Sequence, residues 1–216
     1  MDCYCDENNF SSKELLFAEV GVPVTYKLIV YTGNCARLGP HEPSIVEHID
    51  GKIRDHYYGD DCMLVVRPHP QDGEWAQRYE KVLGMSQVKV LPAEMGRLNF
   101  LASLLNYADV VIAAQGSVSL DAVALDSCTV NIAFDGNLHR SKYESVRLWY
   151  EMDHYRPVVE SGGVWVVNSF DEMDAAIEGY MKNPQFHADG RQRLRELELA
   201  PLDGHSSERI VESLLR

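Results

Sequence analysis

The chain has 216 residues, of which 45% are hydrophobic and 25% charged, so it can bury a sizeable core without disulfides or metals. Its formal net charge of −13 excludes the dense basic surface that nonspecific nucleic-acid binding needs, and it speaks against a surface-wide attraction to anionic lipid. The opening residues lack the basic start and apolar run of a secretory signal, and no apolar stretch approaches the ~20 residues of a membrane span, so the expectation is a cytoplasmic protein with no transmembrane segment.

Residues 1–25 show no periodicity and are expected to form a leader or linker, with SSKELLFAEV as a short helix capped by Ser11 or Ser12. Regular pattern begins at Lys27. KLIVYT (27–32) is a short apolar run ending at Gly33-Asn34. SIVEHIDGKIRDHY (44–57) has helical spacing at Ile45, Ile49 and Ile53, with Ser44 as cap. CMLVVRP (62–68) is the next apolar run, and Pro68 must end it. GEWAQRYEKVLG (73–84) predicts a helix closed by Gly84, QVKVLP (87–92) a strand, and RLNFLASLLNYA (97–108) an amphipathic helix. DVVIAA (109–114) and TVNIAF (129–134) are strands flanking the helix SVSLDAVALDS (117–127).

These strands are continuous apolar runs, as expected of strands covered on both faces. Strands of this kind alternating with helices predict the α/β class, a Rossmann-like doubly wound parallel sheet. After Gly136 the chain turns polar and aromatic, then gives one more strand (164–168) and a helix (171–183) capped by Ser169 or Asp171. The expected division is a leader (1–25), a Rossmann-like domain (26–190) and a helical tail (191–216) packed on it, broken at Pro201–Gly204. Cys3, Cys5, Cys35, Cys62 and Cys128 are an odd set, three of them in or near apolar stretches, and are expected to be reduced. Cys3 and Cys5 lack the second pair or histidine cluster of a zinc site, and no cofactor is indicated. Trp75 and Trp165 are expected in the core.

Ligands of an open parallel sheet bind at the carboxyl ends of its strands, which selects the loops 33–43, 67–73, 92–96, 115–119 and 135–139. Gln115-Gly116-Ser117-Val118-Ser119 joins a buried strand to a helix. Gly116 permits a tight turn, and the first helical amides lack partners and carry the positive end of the dipole, a match for phosphate. Ser117 and Ser119 can add hydroxyls, and Asp121 can accept from ribose. Arg67 suits a phosphate partner, and His69, held between Pro68 and Pro70, is the candidate for proton transfer or phosphate contact. Gly33 and Asn34 are weaker candidates, because the loop has no Gly-x-Gly-x-x-Gly. Glu94 stands where a base or ribose edge can be read. His154, Tyr155 and Arg156, with Gly162 and Gly163, are candidates for a rim over the ligand. Gly-x-Ser-x at 116–119 ends in Leu120 instead of glycine, so a serine hydrolase elbow is rejected.

Arg67-Pro68-His69-Pro70 after a strand, ADVVIAAQGSVSLDAVALDSCTVNIAF (108–134), and HYRPVVESGGVWVVNSFDEMDAAIEGYMKNP (154–184) together resemble the C-terminal domain of GT-B glycosyltransferases. Within that class the chain is similar to proteins of bacterial capsule and surface polysaccharide synthesis, to the teichoic-acid (CDP-glycerol) glycerophosphotransferases and, more distantly, to UDP-N-acetylglucosamine 2-epimerases. The resemblance implies that a nucleotide-activated sugar or CDP-glycerol binds with its phosphates on Ser117 and Ser119, its ribose near Asp121 and His69 near the phosphates, without an obligatory metal. It also implies an N-terminal acceptor domain outside this chain, without which the chain would transfer nothing. A sugar-nucleotide epimerase-like fragment and a noncatalytic nucleotide-binding module are the alternatives. Asp126-Ser127-Cys128 replaces the usual Gly-x-Pro turn, and aspartate tolerates the left-handed backbone that glycine normally supplies.

Overall fold

The computed structural model describes residues 2–215. Six parallel strands form one sheet: β1 (Lys27–Thr32), β2 (Cys62–Arg67), β3 (Val88–Val90), β4 (Val110–Ala113), β5 (Thr129–Ile132) and β6 (Trp165–Val167). Their spatial order is β3-β2-β1-β4-β5-β6, so the winding reverses between β1 and β4. The Rossmann-like α/β class expected from the continuous apolar runs is what the chain adopts.

Alternate side chains of the strands feed opposite layers. Ile29 and Tyr31 of β1, with Leu64 and Val66 of β2, pack beneath α2 (Glu42–Arg54) and α8 (Phe170–Lys182). Leu28 and Val30, with Met63 and Val65, pack beneath α1 (Lys13–Val20) and α4 (Leu98–Tyr107). Ser12 caps α1, and Leu16 and Phe17 are fully buried in that second layer. Residues 13–22 therefore belong to the packed body, a correction to the expected linker: three apolar residues one helical face apart find a sheet to cover. Trp75 and Trp165 are partly buried against the first layer.

Two helices differ from expectation. α2 starts at Glu42 and not at Ser44; Pro43 occupies its first turn, and the Ser44 hydroxyl donates instead to the His41 carbonyl at 2.8 Å. The expected helix over 73–84 is cut to α3 (Trp75–Arg78), because Arg78 and Tyr79 are drawn inward by buried acceptors. The patternless region after β5 holds α6 (Arg147–Tyr150) and α7 (Arg156–Ser161). At the C-terminal end, α9 (Ala188–Leu194) runs into a π-turn over Arg195–Leu199, and α10 (Ser206–Leu214) follows. α9 buries Arg191 and Leu194, whereas every residue of α10 except Ser206 is exposed. No helix among the described residues is long and apolar enough to cross a membrane. Among the described residues no cysteine forms a disulfide, and Cys62 and Cys128 are buried.

The turn after α5 (Ser117–Ala124) shows why aspartate can replace glycine there. Asp126 sits at φ +60°, and its carboxylate takes Arg191 at 2.8 Å and Arg195 at 3.2 Å. Arg191 is 1% exposed and also donates to the carbonyls of Pro184 and Phe186. Asp126→Gly relaxes the backbone but strands a buried guanidinium, so a net loss of about 2 kcal/mol is expected, below the full cost of breaking a buried pair because Asp126 is itself half exposed. Urea unfolding of the two proteins checks the sign, since an Asp126→Gly chain at least as stable as the parent would contradict the role given to Arg191.

Candidate functional site

The carboxyl ends of β1 and β4 frame the crevice at the winding reversal. α5 opens directly from β4 through Gln115 and Gly116. Gly116 occupies the cap position at φ +153°, which only glycine adopts readily, and supplies no side chain to the helix start. Gly116 and Ser117 are exposed. Among the described residues, the amides of Ser117 and Val118 have no hydrogen-bond partner, so two donors and the dipole face open space.

Ser119 is placed differently from expectation. It is fully buried; its hydroxyl donates to the Ala114 carbonyl at 3.3 Å and accepts from Asn131 Nδ2 at 2.8 Å. Asn131 in turn accepts from the Tyr155 hydroxyl at 2.8 Å. Ser119 therefore fixes the loop from beneath and has no free face for a ligand, which corrects its assignment as a phosphate contact. Tyr155 is likewise a buried support and not a rim residue, and Tyr150 stacks edge-on against it at 5.5 Å. Their hydroxyls lie against the backbone amides of Gln115 and Gly116, and burial raises both phenol pKa values.

The rest of the expected rim is not assembled. His154 and Arg156 are exposed, and Arg156 pairs with Asp153 at 2.9 Å. Gly162 closes α7 in the left-handed conformation. A side chain on Gly163 would meet the Gly190 carbonyl at 2.8 Å, so this glycine serves the α7–α9 contact. Gly33 is also structural: a Cβ there would meet the Tyr79 hydroxyl at 2.8 Å and Glu42 at 3.1 Å.

Arg67 and Asp121 do come together. Each feels the charge of the other, and Tyr4, in the N-terminal turn Asp2–Tyr4, lies against Asp121. Burial lowers the Arg67 pKa and raises that of Asp121, with Tyr4 and Arg67 pulling Asp121 back down. Arg67 also shares a small pocket of about 40 Å³ with Glu94, Arg97 and Phe100. Glu94 pairs loosely with Arg97, whose guanidinium lies 4.3 Å from the Phe100 ring. His69 is half-buried and accepts the Gln71 amide at Nδ1 (3.1 Å), which leaves its proton on Nε2.

Beneath these loops lies a buried ionic network that the sequence reading missed. Arg78 donates to Asp72, to the carbonyls of Asn34 (2.9 Å) and Gly39, and to Glu42 at 3.1 Å. Glu42, fully buried, also accepts the Asn34 amide at 2.8 Å and the Tyr79 hydroxyl at 3.3 Å. Asn34 thus acts through its backbone, locking the loop after β1. Arg78 and Tyr79 fall inside the helix expected over 73–84, and Glu42 falls before the helix expected from Ser44, so neither advertised the network. Asn131 carried a signal, being a lone polar residue in an apolar strand.

Three buried polar groups near this end have no protein partner: the Tyr31 hydroxyl, both ring nitrogens of His41, and Gln115 Oε1. They stand on β1 and on the loops that follow β1 and β4. Burial holds the His41 pKa down to about 4, with Asp135 opposing and Arg140 assisting. Buried groups of this kind are costly unless something satisfies them.

No family model and no curated protein matches this sequence. Solved structures do match in fold. The wall teichoic acid polymerase TagF superposes with a TM-score of 0.64 at 12% identity, over 98% of this chain and 47% of that one. A UDP-GlcNAc 2-epimerase from Neisseria meningitidis, solved with UDP-GlcNAc bound, gives 0.58 at 16% identity, over 94% and 48%. WaaG, a glycosyltransferase of lipopolysaccharide biosynthesis, gives 0.54 at 13% identity, over 96% and 51%. The chain thus has the Rossmann-like fold of a GT-B half, as its sequence resemblance implies, and it spans about half the length of these proteins.

The Glu42 network has a pH signature. Burial raises the Glu42 pKa from 4.5 to about 7, against the pull of the Asn34 amide and Arg78. The folded state then binds more protons than the unfolded state between these values, so this contribution to stability is greatest below pH 4.5, declines as pH rises, and levels off above about 7. Glu42→Gln is expected to flatten that decline. Urea midpoints of both proteins at pH 5, 6 and 7.5 measure it, and equal slopes would contradict the assignment.

Proposed function

We propose that the chain is the donor-binding half of a glycosyltransferase of surface polysaccharide synthesis, holding a nucleotide-activated sugar or CDP-glycerol in the crevice between β1 and β4. The observation that carries this reading is the uncapped start of α5, with two unpartnered amides at the carboxyl end of a central strand beside the winding reversal. A nucleoside diphosphate offers the anionic oxygens such amides bind. Asp121, one turn along α5, stands where a ribose hydroxyl can donate to it, and Arg67 adds a fork of donors from β2. The base would lie outside the small pocket of Arg67, Glu94 and Phe100, with Glu94 reading its edge.

His69, with its proton on Nε2, would donate to the phosphate that leaves with the nucleotide, and the unpaired amides would stabilise the charge developing there. The bound ligands of the structural neighbours point the same way: UDP-GlcNAc in the epimerase, and CDPG in a second TagF structure. Transfer needs an acceptor-bearing domain outside these residues, and a cytoplasmic setting is part of the proposal.

Calorimetry with UDP, CDP, GDP and CMP tests the reading. One nucleotide is expected to bind. Ser117→Pro removes one amide donor at the first helical position, where proline fits, so it should weaken that binding at least tenfold while leaving the melting temperature near that of the parent. Asp121→Ala is expected to cost a further factor of about ten through the ribose. Silence toward all four nucleotides would sink the proposal.

A further inference from the structure

We infer that a second site, distinct from the α5 amides, binds the phosphate of a small organic phosphoester in the cavity beyond the carboxyl ends of β5 and β6. The cavity measures about 770 Å³. In a chain of net charge −13, its wall concentrates His139, Arg140, Lys142 and Arg147 against only Asp135 and Glu151.

Among the described residues, neither guanidinium on this wall, that of the exposed Arg147 or that of Arg140, hydrogen-bonds a carboxylate. Elsewhere, the buried Arg78 and Arg191 each bond a carboxylate directly. Arg140 is only 20% exposed, yet its nearest carboxylate, Asp135, stands 3.8 Å away and is already taken by the Val146 amide at 3.0 Å. Among the described residues Arg140 makes no hydrogen bond, so its donors are unused apart from the long ion pair with Asp135. Arg147 gives its Nε to the Ala133 carbonyl (3.1 Å) and its Nη2 to the Asn168 carbonyl (3.3 Å), two neutral acceptors that orient the group and leave its charge unbalanced. Lys142 reaches Glu151 at 3.3 Å, but both are well exposed and the pair is worth little.

Two guanidinium forks on one wall, that of Arg147 held in orientation by two carbonyls, suit a tetrahedral phosphate better than a neutral ligand. The volume exceeds what a free ion fills and lies in the range of small-molecule sites. Phe134 and Phe170, edge-to-face at 5.0 Å, with Leu148, provide an apolar surface for an organic group. The site is also physically separate from the first. α6 divides the two: Tyr150 leans on Gln115 and donates to the Ile132 carbonyl at 2.8 Å, while Arg147, at the start of α6, faces the cavity. The inference stands whether or not the α5 amides hold a nucleotide.

Amide NMR shifts of the labelled full chain, titrated with glycerol 3-phosphate, inorganic phosphate and glycerol, test it. Glycerol 3-phosphate is expected to move the amides of Gly136, Asn137 and Ser169 saturably, inorganic phosphate at least threefold more weakly, and glycerol not at all. Arg140→Gln with Lys142→Gln should weaken the phosphoester at least tenfold at an unchanged melting temperature. Inorganic phosphate binding as tightly as the ester would overturn the organic assignment. Shifts confined to residues 116–118, or an unaffected double variant, would overturn the site. UDP and CDP titrations followed at Ser117 and Val118 report on the nucleotide reading separately, and Ser117→Pro should leave the glycerol 3-phosphate shifts intact.

Discussion

Arg78 carries its charge inside the protein, with a side chain 9% exposed, and four acceptors from three chain segments surround it. A buried guanidinium left short of partners is expensive, so the loops after β1 and β2 are held to the one arrangement that satisfies it. That arrangement bends α3 out of a regular helix, draws Glu42 under the sheet's carboxyl edge and leaves Gly33 and Gly39 no room for a side chain. The crevice beside β4 keeps its width because its β1 side is clamped from below.

The β4 side is held by different means. The chain of hydrogen bonds from Tyr155 through Asn131 to Ser119 ends on the Ala114 carbonyl, directly under the turn that opens α5. Polar groups inside the core are tolerated there because each is satisfied by the next. The outcome is a division of labour between two serines two residues apart: Ser119 anchors, and Ser117, on the outer face, remains free. An exposed helix start with unpaired amides is itself a cost, and a rigid foundation lets the fold carry it.

The two ends of the chain meet near this same edge of the molecule. Asp2 accepts from the amides of Ser206 and Ser207, capping α10 in place of a residue of its own, and these bonds lower the carboxyl pKa. Tyr4, two residues on, rests against Asp121 and Arg67. The first turns of the chain therefore border the proposed ribose position, so the electrostatics of Asp121 are set partly by a segment more than 100 residues away in sequence.

Apolar runs were enough to determine the strands and their parallel arrangement, because a strand covered on both sides needs unbroken hydrophobicity and proline or glycine to end it. Asp126 could be placed in a left-handed turn through the resemblance, which has glycine there, together with the local tolerance of aspartate for that backbone. The tertiary structure alone decided which polar residues look outward. Ser117 and Ser119 are alike in sequence and opposite in burial, and Arg78 and Glu42 became partners only when two loops converged. Arg140 and Arg147 lie in a stretch without period, and only folding gathers them on one wall. Burial and charge pairing depend on neighbours distant along the chain, and periodicity carries no record of those neighbours.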